Sequence, residues 1–386
     1  MQKTKTYSPA DLIDTKFRRR AAGPVASTNE RWLMRQIWLN PGISRSEITA
    51  RSDLAQQSVH RILDQLSERG IVRFGGAKTG LGSGQPSPML SLDGAFAYTC
   101  GLSVNADVLG ICLMDLAGTI IGEASVPLHG QSVEEALAAA DEKIVRLRSA
   151  KGLDPERCFG VGCGIAGYYV GGTRFNASLP LHMWSLIELG PLLSAFFEKP
   201  VWVHNGGSTG AVAEALFGVG RYIRHFAYLS FNYGFGGGII SDGELLVGGN
   251  GNAGEYGPIF RDNAKRPAMQ FLIEALQRNG VSVNSITQLQ REFRADWPGA
   301  AEWVDEVAPN YNRMLDAIVG VFDPQAIVFG GQVPPALAQM FIERTAPAET
   351  PRYGVPRPPA KLIISEIGGD AAALGAAAVP LMAEFF

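Results

Sequence analysis

The chain has 386 residues, a 46% apolar content and a formal net charge of −3. That is enough for two or three domains and argues against a disordered or fibrous protein. No apolar run is long enough to span a membrane, and Met1–Arg20 has no apolar signal core, so the expected location is the cytoplasm. Charge is unevenly placed: residues 1–90 carry 14 Lys/Arg against 7 Asp/Glu, and the remainder carries 20 against 30. A basic head on an acidic body suggests a polyanionic partner for the head.

The segment Lys16-Phe17-Arg18-Arg19-Arg20 reads either as an arm contacting a nucleic-acid backbone or as a disordered basic tail, within an amino-terminal arm of residues 1–28. Residues 29–92 follow as one unit. Trp32, Leu33, Ile37 and Trp38 give Glu30–Leu39 a helical period, and Pro41-Gly42 ends it. Ser44-Arg45-Ser46-Glu47 is a capping box opening a second helix that runs to about Arg51. After the turn Ser52-Asp53-Leu54, a third helix has Leu54, Val59, Ile62, Leu63 and Leu66 as its inner stripe. Asp53 stands where such a turn often has Gly, and Asp tolerates the left-handed conformation better than most residues.

Two short helices joined by a tight turn form a helix-turn-helix, whose second helix reads the major groove of DNA. Gln56, Gln57, Ser58, His60 and Arg61 face outward near its amino end, and Gln and Arg suit adenine and guanine edges. Ile71–Phe74 and Met89–Leu92 read as two strands of a wing around a Gly-rich loop carrying Lys78 and Gln85. Arg45 and Lys78 are expected to contact phosphates, with Gln85 also at the DNA surface. Helix pairs of this shape also serve as protein-interaction modules; the basic balance favours DNA.

Beyond residue 95, Tyr98–Val104, Leu109–Asp115 and Thr119–Glu123 read as strands, Glu134–Arg148 as an amphipathic helix and Cys158–Ile165 as a further strand. This β-β-β-α-β order begins an actin-like ATPase fold. Cys100, Cys112, Cys158 and Cys163 lie in apolar runs without metal or redox spacing and read as buried thiols. Later come V-W-V-H-N-G-G-S-T-G-A-V-A-E (Val201–Glu214), the Gly-rich turn of Phe231–Ile240, G-N-A-G-E-Y-G-P (Gly251–Pro258), D-P-Q-A-I-V-F-G-G (Asp323–Gly331) and a final small-residue helix from Leu374.

With these pieces in this order, the chain resembles the ROK family of repressors, open reading frames and sugar kinases, over essentially its whole length. The resemblance implies an α/β protein: an amino-terminal winged helix-turn-helix plus a two-lobed, actin-like (ribonuclease H-like, sugar kinase) body. The lobes are expected at 93–203, completed by a helix at 375–386, and at 204–374. The family kinases' phosphate loop matches Ser103-Val104-Asn105-Ala106-Asp107, without the strand-ending acid or the paired glycines. The acid that follows the family's Asn is Gly206 here, and glycine cannot take a proton from a sugar hydroxyl. The family's zinc-binding His is Pro258, and Arg261–Phe271 contains neither Cys nor His, so no metal and no cofactor are expected.

Asn205 and Glu255 remain as hydroxyl-binding types, although both could merely cap local structure. Asn176, Ser178 and His182 lie in a loop that borders the sugar in family members, beside Trp184, which suits either a core or a stacking platform. The resulting expectation is a sugar-responsive, DNA-binding transcriptional regulator, a repressor, with no enzymatic activity. Its expected partners are double-stranded operator DNA, a sugar or sugar derivative, and other copies of itself in a homodimer or dimer of dimers. The competing readings are an ATP-dependent sugar kinase with a fused DNA-binding domain and a DNA-bound scaffold without a ligand.

Overall fold

The computed structural model describes residues 16–17, 26–78, 87–262, 265–346, 348 and 351–386. The chain begins there with a short strand, β1 (Lys16–Phe17), then α1 (Thr28–Leu39), α2 (Arg45–Ala50) and α3 (Gln56–Glu68), then β2 (Val72–Lys78) and β3 (Ser87–Leu92). Both halves of the expected capping box are made: Glu47 N donates to Ser44 Oγ at 3.2 Å, and Ser44 N donates to Glu47 Oε2 at 2.7 Å. Ser27 and Glu30 form a second box at the start of α1. The third helix starts later than its apolar stripe suggested: Leu54 precedes it and packs on the head core from the turn. Asp53 is not among the residues with positive φ, so the turn needs no left-handed residue there.

The body contains β4 (Tyr98–Val104), β5 (Val108–Asp115), β6 (Ile120–Pro127), α4 (Val133–Ala150), β7 (Cys158–Ile165), β8 (Gly167–Gly171) and β9 (Arg174–Ala177). Next come α5 (Leu189–Phe197), β10 (Val201–Asn205), α6 (Gly206–Phe217), β11 (Phe226–Phe231), β12 (Phe235–Ser241) and β13 (Glu244–Leu245). The carboxyl half adds α7 (Met269–Arg278), α8 (Ile286–Glu292), α9 (Ala300–Phe322), β14 (Ala326–Gly331), α10 (Pro335–Glu343), β15 (Lys361–Ile364) and α11 (Ala371–Glu384).

Two sheets organise these elements. The first runs β1-β10-β7-β4-β5-β6 and the second β13-β12-β11-β14-β15, each mixing antiparallel and parallel neighbours. The apolar inner faces of α6 and α11 fill the space between the sheets, α11 against β4 and β7, α6 against β11 and β12. The helices cross closely because Gly375 has no side chain: a Cβ there would overlap the Thr209 carbonyl. Cys100, Cys112 and Cys163 are buried, and burial pushes the Cys112 and Cys163 thiols up to about 12, which makes them inert packing groups.

The head shares its core with the body. Leu33, Met34 and Ile37 of α1 belong to one apolar cluster with Val212 and Ala213 of α6 and with Leu381 and Phe385 at the carboxyl end. Trp38 stacks on Phe386 at 5.1 Å between ring centroids and meets Phe217, the last residue of α6, edge-on at 5.7 Å. Arg31 donates to the Met382 carbonyl at 3.0 Å, and Arg35 pairs with Glu244.

The amino-terminal arm departs from its DNA-facing expectation in part. Lys16 and Phe17 pair antiparallel with Trp202 and Val201, extending the edge of the first sheet. An open sheet edge offers unpaired backbone groups, and this segment satisfies them. Arg18–Arg20 and Gln85 lie outside the described residues.

Candidate functional site

A cavity of about 260 Å³ opens between the sheets, at the small end of the roughly 300–1,000 Å³ typical of ligand pockets and suited to a monosaccharide. One wall comes from Ala166, Gly167 and Tyr168 after β7, and from Asn176 and Ser178 at β9. Opposite elements contribute Ser230–Gly236 between β11 and β12, Glu255, and Arg266 and Gln270 at the start of α7. The amino end of α6 forms the floor with Asn205, Gly206 and Gly207.

Asn205 is the N-cap of α6, and its amide is fully used. Gly207 N and Ser208 N donate to Oδ1 at 2.6 and 3.3 Å, while Nδ2 donates to the Gly167 carbonyl and to Glu255 Oε1, both at 2.6 Å. Asn205 thus ties three segments of the cavity together, and its capping role is real. Glu255 lies in the turn after Gly254, whose φ of +88° favours glycine. Desolvation raises the Glu255 carboxyl above its ordinary value, and the nearby Arg266 charge opposes that shift.

Asn176 lines the cavity and donates to the Tyr168 hydroxyl at 2.8 Å; Ser178 lines it too. His182 is not among the lining residues. It is exposed, with Nδ1 at 3.3 Å from the Leu179 carbonyl of its own turn, because the segment folds as a short 3-10 helix pointing that ring outward. Trp184 is buried in the core beneath the first sheet, which excludes a stacking platform. Pro258 is exposed and does not line the cavity.

A second cavity, of about 540 Å³, shares Asn105, Gly206, Ser230 and Asn232 with the first. Its lining includes Asn105, from the run that stands in place of the family's phosphate loop, and Asp370. Ser103 Oγ donates to the half-buried Asp370 carboxylate, and Asn105 Nδ2 lies at 3.3 Å from the same oxygen. Asp370 also accepts from Ala372 N and Ala373 N at 3.0 and 3.1 Å as the N-cap of α11. Desolvation raises its pKa. Gly206 sits in the wall between the two cavities. A Cβ there would meet only ordinary contacts, the nearest being the Ile165 carbonyl carbon at 3.6 Å, so glycine is not required by packing.

On the head, Gln56, Gln57 and Arg61 are exposed along the amino half of α3, with Ser58 and His60 half-buried beside them. Arg45 behaves differently from the phosphate contact expected of it. Its guanidinium donates to Asp64 Oδ1 at 2.7 Å and the His60 carbonyl at 2.9 Å, and lies 5.3 Å from the Phe74 ring centroid. It clamps α2, α3 and the wing together. Arg51, Arg69 and Arg73 are likewise engaged with Asn40, Glu30 and Asp93. Among the described head residues, Arg61 is the arginine with no partner. Lys78 ends β2, and its side chain lies outside what is described.

Sequence reasoning missed Arg266, Gln270, Asn105 and Asn232 as lining residues, and Trp38 as the joint between head and body. An arginine inside the segment that lacks the family's cysteines was a usable signal for the first. Among the described residues, no three His, Cys, Asp or Glu side chains gather as a metal set. No helix among them is long and apolar enough to cross a membrane.

Comparisons with known proteins agree with this anatomy. The ROK family profile matches residues 99–269, and a winged helix-turn-helix DNA-binding profile matches residues 29–73. The xylose repressor of Caldicellulosiruptor bescii is 25% identical over 82% of this chain and 86% of its own. The crystal structure of a ROK family transcriptional regulator, a homolog of the E. coli MLC protein, superposes with a TM-score of 0.67 at 19% identity, covering 92% of this chain and 96% of that one. A ROK family glucokinase from Streptomyces griseus, solved with glucose and AMPPNP, gives a TM-score of 0.58 at 21% identity, covering 73% of this chain and 99% of that one. Residues 99–269 of the chain match the ROK family behind an amino-terminal winged helix-turn-helix, on the two-lobed fold of these solved structures.

Proposed function

We propose that this protein is a sugar-responsive transcriptional repressor whose ROK body has kept the ligand cavity and lost the chemistry. The observation that carries the second half is Gly206. A phosphoryl group passing from the larger cavity to the smaller would cross their shared wall, and the residue there has no side chain to accept the hydroxyl proton. General-base loss alone costs about 10²–10⁴-fold. On the donor side Ser103, Asn105 and Ala106 replace an acid and two glycines, and the Asp370 carboxylate lies among them.

The DNA-reading role rests on α3. Gln56, Gln57 and Arg61 are exposed and uncommitted, in the position from which a recognition helix enters the major groove. Ser58 and His60 flank them, while Lys78, Gln85 and the basic residues 18–20 would contact phosphates. A single head covers a short site. A symmetric dimer built through the body would read a palindrome with two heads.

Communication between the ends follows from helix placement. The 12 residues of α6 span about 18 Å, from Asn205 at the ligand cavity to Phe217 against Trp38 of the head. α11 is capped by Asp370 beside the second cavity and leads into Phe385 and Phe386, the latter stacked on Trp38. A sugar held by Glu255, Asn176 and Ser178, with Asn205 ordering the site, would favour one closure of the lobes. The joined helices would then carry that choice to the head. The ligand shifts DNA affinity only by its differential affinity for the two states.

The test pairs two measurements on the purified protein. Operator affinity with and without a panel of pentoses and hexoses should change for at least one sugar, and ADP release with ATP and the same panel should stay at background. Sustained sugar-dependent ADP release refutes the loss of chemistry. An operator affinity unmoved by any sugar refutes the sensor.

A further inference from the structure

Most polar side chains around the smaller cavity are already satisfied by the protein. Asn205 is spent on Gly207, Gly167 and Glu255, Asn176 on the Tyr168 hydroxyl, Asn232 on Ser230 Oγ, and Asn105 on Ser103 and Asp370. The Ser178 and Tyr233 hydroxyls have no partner among the described residues, and two further lining side chains, one of them charged, stand apart with them. Arg266 makes no hydrogen bond or ion pair to any described residue, and its Nε is buried without a partner. Gln270, one turn further on, donates its backbone N–H to the Tyr233 carbonyl at 3.2 Å, but its side-chain amide is unused.

Holding a guanidinium partly buried and unpaired is costly, so this arrangement reads as a site prepared for an acceptor. The charge facing it from the cavity is that of Glu255, which is too far for an ion pair and already accepts from Asn205 Nδ2. Burial lowers the Arg266 pKa, with Glu255 opposing, as expected of a cation short of compensation. The amino end of α6, with its positive helix dipole, forms the floor of the same cavity. A neutral sugar would offer Arg266 only hydroxyls. A carboxylate or phosphate would offer charge-assisted, bidentate bonds about twice as strong.

We propose that the effector is an anionic sugar derivative, a sugar acid or a sugar phosphate, whose charged group is held by Arg266 with the Gln270 amide donating beside it. Glu255 then holds ring hydroxyls. The inference rests on the reading of this cavity as the effector site and narrows its ligand class.

The test is calorimetric titration of the full-length wild-type protein, as purified, with D-glucose, D-galactose, their uronates and their 6-phosphates. At least one anionic member should bind about 10–100-fold more tightly than its neutral parent. Arg266→Gln should remove that preference, whereas Arg266→Lys should retain part of it. Thermal unfolding of both variants reports whether they fold, and the Lys variant carries the test if the Gln variant does not. Preference for uronates over phosphates, or the reverse, identifies the source of the charge. Neutral sugars binding as tightly as their anionic derivatives, with Arg266→Gln without effect, overturn the inference while leaving the sugar site standing. No binding of any of the six, with no effect of any on operator affinity, overturns the site itself.

Discussion

If α6 and α11 carry the ligand's signal, the joint at Trp38 is where it can be cut without touching either binding site. Trp38 is half-buried, stacked on Phe386 and edge-on to Phe217. Each such ring pair contributes about 0.5–1.5 kcal/mol. Trp38→Ala removes two, so head-to-body docking loses about 1–3 kcal/mol, or about 5–150-fold in the ratio of docked to released heads. Couplings between ligand sites are typically about 1–3 kcal/mol. The substitution therefore removes an energy as large as the whole expected signal. Fluorescence anisotropy of labelled operator, with and without saturating effector, should show the ratio of the two dissociation constants collapsing toward one. Calorimetry should show effector affinity nearly unchanged, because the cavity does not include Trp38. Trp38→Phe keeps an aromatic ring at the joint and should retain most of the response. A Trp38→Ala protein whose operator affinity still responds fully to effector refutes the relay through these helices.

The other predictions concern single residues. Arg61→Ala should cost about 1–3 kcal/mol at one base pair of the operator in a competition assay, whereas Lys78→Ala should weaken all sequences alike; an unchanged specific affinity for Arg61→Ala would mean that α3 is not the reading helix. Gly206→Asp should fold with a thermal midpoint no lower than wild type, since the site has room and a carboxylate at a helix amino end contributes about 0.3–1 kcal/mol. The same variant should still release no ADP, because the phosphate loop stays broken. Desolvation raises the buried Glu214 carboxyl, with Ser365 and Val219 N opposing, so ionisation above its ordinary 4.5 destabilises the fold. The thermal midpoint of Glu214→Gln relative to wild type should therefore rise as pH increases from about 4 to about 7, and a difference that shrinks would refute the sign.

Much of the fold was legible because it rests on local rules. The capping box at Ser44 and Glu47, the strand Cys158–Ile165 and the helix after Asn205 follow from residue types a few positions apart. What escaped was decided by partners distant in sequence. Arg45 faces DNA in any helix-turn-helix drawn from spacing alone, yet Asp64 and Phe74 draw it inward. Lys16 and Phe17 read as a free basic arm, yet an open sheet edge more than 180 residues away pairs with their backbone. His182 was placed at the cavity by its loop; a 3-10 turn directs it outward instead. Arg266 has no periodicity or motif, and its meaning lies in the polar partners it lacks.

The proposed function gives a reason why an actin-like body would suit a sensor without kinase chemistry. A kinase must spend binding energy on the transition state, and a ligand that binds ground and transition states equally adds nothing to turnover. A sensor needs differential affinity for two lobe arrangements instead. Asn205 illustrates the exchange of roles. Its amide is fully engaged in joining α6 to the Gly167 turn and to Glu255, which makes it a poor free ligand for hydroxyls and an effective strut between the two walls of the cavity. Gly206 beside it adds no charge and no bulk at the floor. A ligand pressing Glu255 toward or away from that strut acts directly on the first turn of the helix that ends at the head. On the proposed function, the step from catalyst to switch within this body lies in removing the carboxylate while keeping the strut.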